Sequence, residues 1–221
     1  MIITQKKPSE ELLGMLEGAT NVIISGCGEC ATVCRTGGTD QIEEMKTFLE
    51  EHGKKVLGTM YPQTGCNKLL IKKELKQFKE IMPQVEAIVS LSCGDGTQTL
   101  AGNVEKPVYP GNNTMFLGEI ERITLFSEAC RFCGDCVLGN TGGICPVTKC
   151  AKSLMNGPCG GARNGMCEVN PENPCAWIEI YKRLKMLGQV EKMEKIADNK
   201  NYASFAYPRT IDLKKGGNAD E

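Results

Sequence analysis

Asn21-Val-Ile-Ile-Ser-Gly-Cys27-Gly-Glu-Cys30-Ala-Thr-Val-Cys34 sets the architecture of the first half of the chain. Its first five residues are nearly all apolar, the pattern of a strand buried on both faces of a parallel sheet. Residues 55–61 and 87–92 read as a second and a third strand, and a fourth is expected over 106–109. Helices fall between them. Ser9 is placed to cap one running through Ala19, with Glu10 and Glu11 in its first turn. Thr39 and Asp40 open a second, whose Ile42, Met45, Phe48 and Leu49 share a face and which Gly53 ends. Leu69, Leu70, Leu75 and Phe78 lie in a lysine-rich helix that stops before Pro83, and a short helix is expected over 97–101. This alternation implies right-handed crossovers and a small open parallel sheet with flanking helices, an α/β domain over residues 1–118. Residues 109–114 read as the loop that closes it.

Five cysteines belong to this domain. Cys27, Cys30 and Cys34 follow the first strand, Cys66 follows the second and Cys93 the third. Strand C-termini of an open parallel sheet share one edge, where ligands bind. The expectation is a metal site, iron–sulfur or zinc, with four ligands drawn from the five. Cysteine also serves as a small buried hydrophobe, which is the rival reading. The turn after the first strand has neither G-x-G-x-x-G nor a Walker sequence, so no nucleotide site is read there. The glycine pairs Gly37-Gly38 and Gly94-Asp-Gly96 read as turns.

From Ser127 to Trp177 the chain carries eight more: Cys130, Cys133, Cys136, Cys145, Cys150, Cys159, Cys167 and Cys175. The first three form a C-x-x-C-x-x-C run, and Cys145 precedes Pro146. Closely spaced thiolates with a later Cys-Pro are the ligand grammar of 4Fe–4S cubanes, and eight cysteines suit two of them. The distal ligand that completes the first cluster is left open. Structural zinc is the rival, although it usually uses two separated knuckles rather than an uninterrupted triple.

Composition narrows the classes. The chain has 221 residues, 13 cysteines, 41% hydrophobic content and a net charge of −1. No global field calls for nucleic acid, and no apolar run approaches the ~20 residues of a membrane span. The opening residues lack a secretory apolar run, which reads as a cytoplasmic protein without disulfides. The single histidine, His52, sits at an expected helix end, so any metal is held by sulfur. No acidic pair stands out as a general acid–base dyad.

Residues 119–198 read as a cysteine-rich, loop-and-helix iron–sulfur module. In its last helix Trp177, Ile180, Tyr181, Leu184 and Leu187 are expected to present one apolar face, with Trp177 as core packing. Gly157, Gly160 and Gly161 let backbone N–H groups approach cluster sulfurs, and Arg163 adds a nearby positive charge or stands solvated. Residues 199–221, with Tyr202, Phe205, Tyr207 and Pro208, read as a docking strap on this chain or a partner, frayed past Lys215.

Cys130-Arg-Phe-Cys-Gly-Asp-Cys-Val-Leu-Gly, Gly143-Ile-Cys-Pro and Met155-Asn-Gly-Pro-Cys-Gly-Gly resemble the methylenetetrahydrofolate reductase C-terminal-type family. Gly26-Cys-Gly-Glu-Cys and Leu91-Ser-Cys-Gly-Asp-Gly look like its N-terminal portion. Within that family the chain resembles the small iron–sulfur subunits of acetogenic bacteria. The resemblance implies an electron-transfer subunit of a heteromeric reductase in one-carbon metabolism (the Wood–Ljungdahl pathway). A flavin-containing catalytic partner would reduce methylenetetrahydrofolate to methyltetrahydrofolate, with a further donor subunit or a ferredoxin upstream. The alternatives are a zinc-stapled scaffold that positions the partner, and an electron carrier for a different flavoenzyme.

Overall fold

A computed structural model describes residues 1–213. The chain forms two compact units, one over Met1–Ser127 and one from Glu128 on. The first unit runs β1 (Ile2–Lys6), α1 (Ser9–Met15), β2 (Asn21–Ser25), α2 (Cys30–Val33), α3 (Thr39–Glu51), β3 (Lys55–Met60) and α4 (Lys68–Leu75). It continues through β4 (Ala87–Ser90), α5 (Gly94–Ala101), β5 (Val108–Pro110), β6 (Asn112–Arg122) and β7 (Leu125–Cys130), which crosses into the second unit.

The expected parallel sheet is present, in the order β3-β2-β4-β5. Its central strands are buried on both faces, as their apolar runs require. Val22, Ile24, Ala87 and Val89 pack with Leu12 and Leu16 of the α1 region and with Ile42 and Leu49 of α3. Ile23 and Ile88 pack on the other side with Ile71 of α4, Phe78 and Leu100 of α5. Each such side chain contributes roughly 1.5–3 kcal/mol by leaving water. The order places a switch point between β2 and β4, because the connections leaving these strands cover opposite faces. The crevice beyond their C-terminal ends is therefore the natural ligand position.

A second, three-stranded sheet, β1-β6-β7, was not expected. β1 pairs antiparallel with β6, from Ile2 opposite Leu117 to Lys6 opposite Asn112. Residues 109–114 are therefore not a closing loop. Asn112, a turn-forming residue by type, is buried and spends its amide on the backbone, donating to Leu91 O at 2.6 Å and Thr36 O at 3.3 Å. Two helix readings also change. Pro8 rather than Ser9 holds the N-cap of α1, which ends at Met15 rather than Ala19. Gly94 and Gly96 lie inside α5, since a side chain at Gly96 would press on Ser92 Oγ at 2.8 Å.

At the start of β2 the Glu86 carboxylate accepts from the backbone N–H of Thr20 (2.6 Å) and Asn21 (2.7 Å). The Asn21 bond first, then the Thr20 bond, hold its pKa below the usual carboxylate range. A lowered native pKa contributes stability above the ordinary carboxyl value, lost as pH falls through the native one. Glu86→Ala is therefore expected to melt below the parent protein at pH 7, and the gap should narrow progressively as the pH falls below about 4. A gap that persists in acid would contradict the assignment.

The second unit has little regular structure beyond α6 (Pro146–Lys149) and α7 (Ala176–Met186). Trp177, Ile180 and Leu184 are its buried core, joined by Ile144, Leu154 and Met193. The stripe is narrower than expected: Tyr181 is 44% and Leu187 43% exposed. Trp177 is a packing residue whose Nε1–H donates to Leu154 O at 3.0 Å. Trp177→Ala is expected to cost about 3–5 kcal/mol, and Trp177→Phe about 1 kcal/mol with the ring retained. Chemical denaturation checks both. The expected frayed end past Lys215 lies outside the described residues.

Candidate metal centres

In the first unit the folding of the chain divides the five cysteines. Cys27 lies just past β2 and accepts the Gly65 N–H at 3.4 Å. Cys93 holds the N-cap of α5, and Cys66 precedes the Asn67 cap of α4. Burial pushes the Cys66 thiol up first, followed by Asp95 and the sulfurs of Cys93 and Cys27. Cys66 thus feels Asp95 and the two other sulfurs at the rim of the sheet, where a cation would favour its thiolate. Cys30 and Cys34 turn elsewhere. Cys30 Sγ accepts from Ile2 N–H at 3.4 Å, and the Cys34 thiol donates to Ile2 O at 3.7 Å. The unexpected strand β1 holds them.

In the second unit Cys150, Cys159, Cys167 and Cys175 line one cleft with Lys152, Glu168 and Trp177. Backbone donors are turned onto these sulfurs. Gly161 N–H reaches Cys159 Sγ at 3.4 Å, and the Asn170 and Val169 N–H groups hold the Cys167 thiol below its ordinary pKa. Cys175 holds the N-cap of α7, and Cys145 that of α6. The Cys159 thiol donates to Glu168 at 3.3 Å, and Lys152 binds the same carboxylate. Lys152, then Cys159, hold Glu168 below the usual carboxylate range, and Arg163 adds to the effect. Glu168 in turn raises Lys152.

The triple run is more open. Cys130 and Cys136 are exposed, and Cys130 Sγ accepts from Phe132 N–H at 3.4 Å. Phe132 (φ 55°) and Gly134 (φ 76°) adopt left-handed backbone between the cysteines, and the Phe132 N–H faces the Cys130 sulfur. Peptide N–H groups aimed at thiolate sulfur are the usual outer-shell partners of metal–thiolate sites, so the donors fit such a group in kind. Among the described residues no three His, Cys, Asp or Glu side chains close up into a ready-made metal cage. Sequence reasoning missed the Lys152–Glu168 pair and a clamp on the triple run by Lys200 and Ser204. Neither has a spacing signal, since each joins residues brought together only by the loops.

Residues 109–203 match the family model described as Methylene-tetrahydrofolate reductase C terminal. That stretch, less than half of the chain, is thus similar to a methylenetetrahydrofolate reductase-related domain. No curated protein and no solved structure matches the chain. Among the described residues no helix is long and apolar enough to cross a membrane.

Proposed function

We propose that this chain is an electron-transfer subunit that works with a flavin-containing methylenetetrahydrofolate reductase. In this reading two 4Fe–4S clusters sit on the eight cysteines Cys130–Cys175, and a further metal sits at the rim of the parallel sheet. The observation that carries it is the cleft lined by Cys150, Cys159, Cys167 and Cys175, with backbone N–H groups aimed at two of those sulfurs. The likeness of residues 109–203 to a reductase C-terminal domain supports a partner of the methylenetetrahydrofolate reductase type. Bound clusters would supply one-electron carriage at low potential.

The chain's own residues hold and tune them. The Gly161 and Phe132 N–H groups stabilise charge on sulfur, as do those donating to Cys167. Trp177 forms part of the wall of the four-cysteine cleft and excludes water on that side. Lys152 offsets the carboxylate of Glu168 beside Cys159. Upstream, a ferredoxin or a further donor subunit would reduce this chain.

Four thiols around one cleft also suit zinc, so a zinc-stapled scaffold is the second reading. Anaerobic stopped-flow separates the two. The chemically reduced chain is mixed with its oxidised flavoprotein partner and flavin bleaching is followed. Bleaching that disappears in a Cys133→Ser, Cys159→Ser variant still able to bind the partner is the expected result. Equal bleaching with that variant would overturn the proposal.

A further inference from the structure

The chain after α7 returns to the triple cysteine run. Lys200 is buried, its side chain 1% exposed, and its ammonium donates to the backbone carbonyl of Asp135, between Cys133 and Cys136. The Asp135 carboxylate stands 3.6 Å from the same nitrogen and accepts the Asn201 N–H at 3.4 Å. Ser204 Oγ lies 2.8 Å from Cys133 O. Gly134 permits this approach. A Cβ there would press on Ser204 Oγ at 2.9 Å and Arg209 Nη1 at 2.8 Å, and its φ of 76° suits glycine.

A buried ammonium is costly unless it is hydrogen-bonded and matched by an anion. Asp135 offers both a carbonyl and a carboxylate. The converse holds as well, because Asp135 places a negative charge within a run of three thiols, where it disfavours electron uptake. We propose that Lys200 is a positioning residue for the Cys130–Cys136 loop. It fixes the turn by bonding Asp135 O, and it neutralises the Asp135 carboxylate, so raising the reduction potential of the group those thiols hold. Residues 200–204 are thus a clamp on this chain's own cysteine loop. The part concerning potential rests on the iron–sulfur reading above, whereas the part concerning the clamp does not.

The test uses the full chain, purified anaerobically, as the parent protein and as Lys200→Met, Lys200→Arg and Lys200→Met with Asp135→Asn. The first readout, taken on the full chain after the metal is removed with a chelator, is the rate of thiol alkylation at Cys133 and Cys136, mapped by mass spectrometry with Cys66 as internal control. Lys200→Met should raise both rates about tenfold, the factor implied by losing one charge-assisted hydrogen bond, and leave Cys66 unchanged. Lys200→Arg should stay near the parent rates. The second readout is the midpoint potential from an electron paramagnetic resonance titration. Lys200→Met should shift one cluster negative by about tenfold in its reduction equilibrium, ~59 mV for a one-electron couple. Lys200→Arg should not shift it, and Asp135→Asn should reverse the shift.

Unchanged alkylation in Lys200→Met overturns the clamp. Accelerated alkylation with equal potentials in Lys200→Met and Lys200→Arg overturns the electrostatic role. A protein without iron defeats the cluster reading and the potential claim together, and the alkylation rates still decide the clamp. A Lys200→Met variant that also alkylates faster at Cys66 has unfolded globally, and Lys200→Arg then carries the test: tenfold faster alkylation at Cys133 and Cys136 alone overturns the clamp, and parent-like rates support it.

Discussion

Serine at both Cys159 and Cys167 is expected to remove a metal equivalent from the second unit and to abolish its cooperative unfolding transition. These residues are two of the four cysteines around one cleft, and the loops between α6 and α7 carry little else to hold them. The core there is small, a buried cluster of Trp177, Ile180 and Leu184. Apparent metal-binding energies of all-thiolate sites are about 10–16 kcal/mol for zinc peptides, as large as the roughly 5–15 kcal/mol stability of a whole domain. Losing two of four ligands therefore removes more than the remaining contacts supply. Anaerobic metal and acid-labile sulfide analysis, alongside thermal melts, measures both effects. Parent-like metal content and an intact transition would mean that these sulfurs are simply packed side chains.

The second large effect divides the cysteines of the first unit. Serine at Cys66 and Cys93 is expected to lower metal content by one equivalent and to depress the melting of the α/β unit. Serine at Cys30 and Cys34 should leave the metal in place. Cys27, Cys66 and Cys93 follow the C-terminal ends of three neighbouring parallel strands, whereas Cys30 and Cys34 bond the Ile2 backbone. Serine can still hydrogen-bond that peptide, so only a small stability loss is expected from the second pair. Equal metal loss from both double variants would show that the five thiols act as one set.

The contrast between the two cysteine groups also shows where sequence reasoning succeeds. β2 and β4 were legible because strands buried on both faces must be apolar at nearly every position, and β3 is the more exposed edge strand beside them. The placement of Cys27, Cys66 and Cys93 just past the C-terminal ends of β2, β3 and β4 followed from parallel topology. β1 and β6 were not legible. Each is half-exposed, and they pair across most of the first unit, so neither the alternation nor a local turn marks them. That omission hid the partner of Cys30 and Cys34. In the second unit the cysteine spacing announced thiolate chemistry, but the four-cysteine cleft depends on loop paths that no periodicity encodes. By its sequence the tail reads as a docking strap on this chain or a partner. Its first residues bind the Cys133–Asp135 backbone of this chain, through a lysine that carries no sequence signal of burial.

The measurement that tests the central claim most directly is an anaerobic reductive titration of the purified full chain, read by visible absorption and electron paramagnetic resonance, with iron, sulfide and zinc counted in the same sample. The account predicts a brown protein whose broad absorption bleaches with added electrons as a paramagnetic signal grows, with about eight irons and eight sulfides on the second unit's thiols. A colourless protein with stoichiometric zinc, no acid-labile sulfide and no signal at any potential would contradict it.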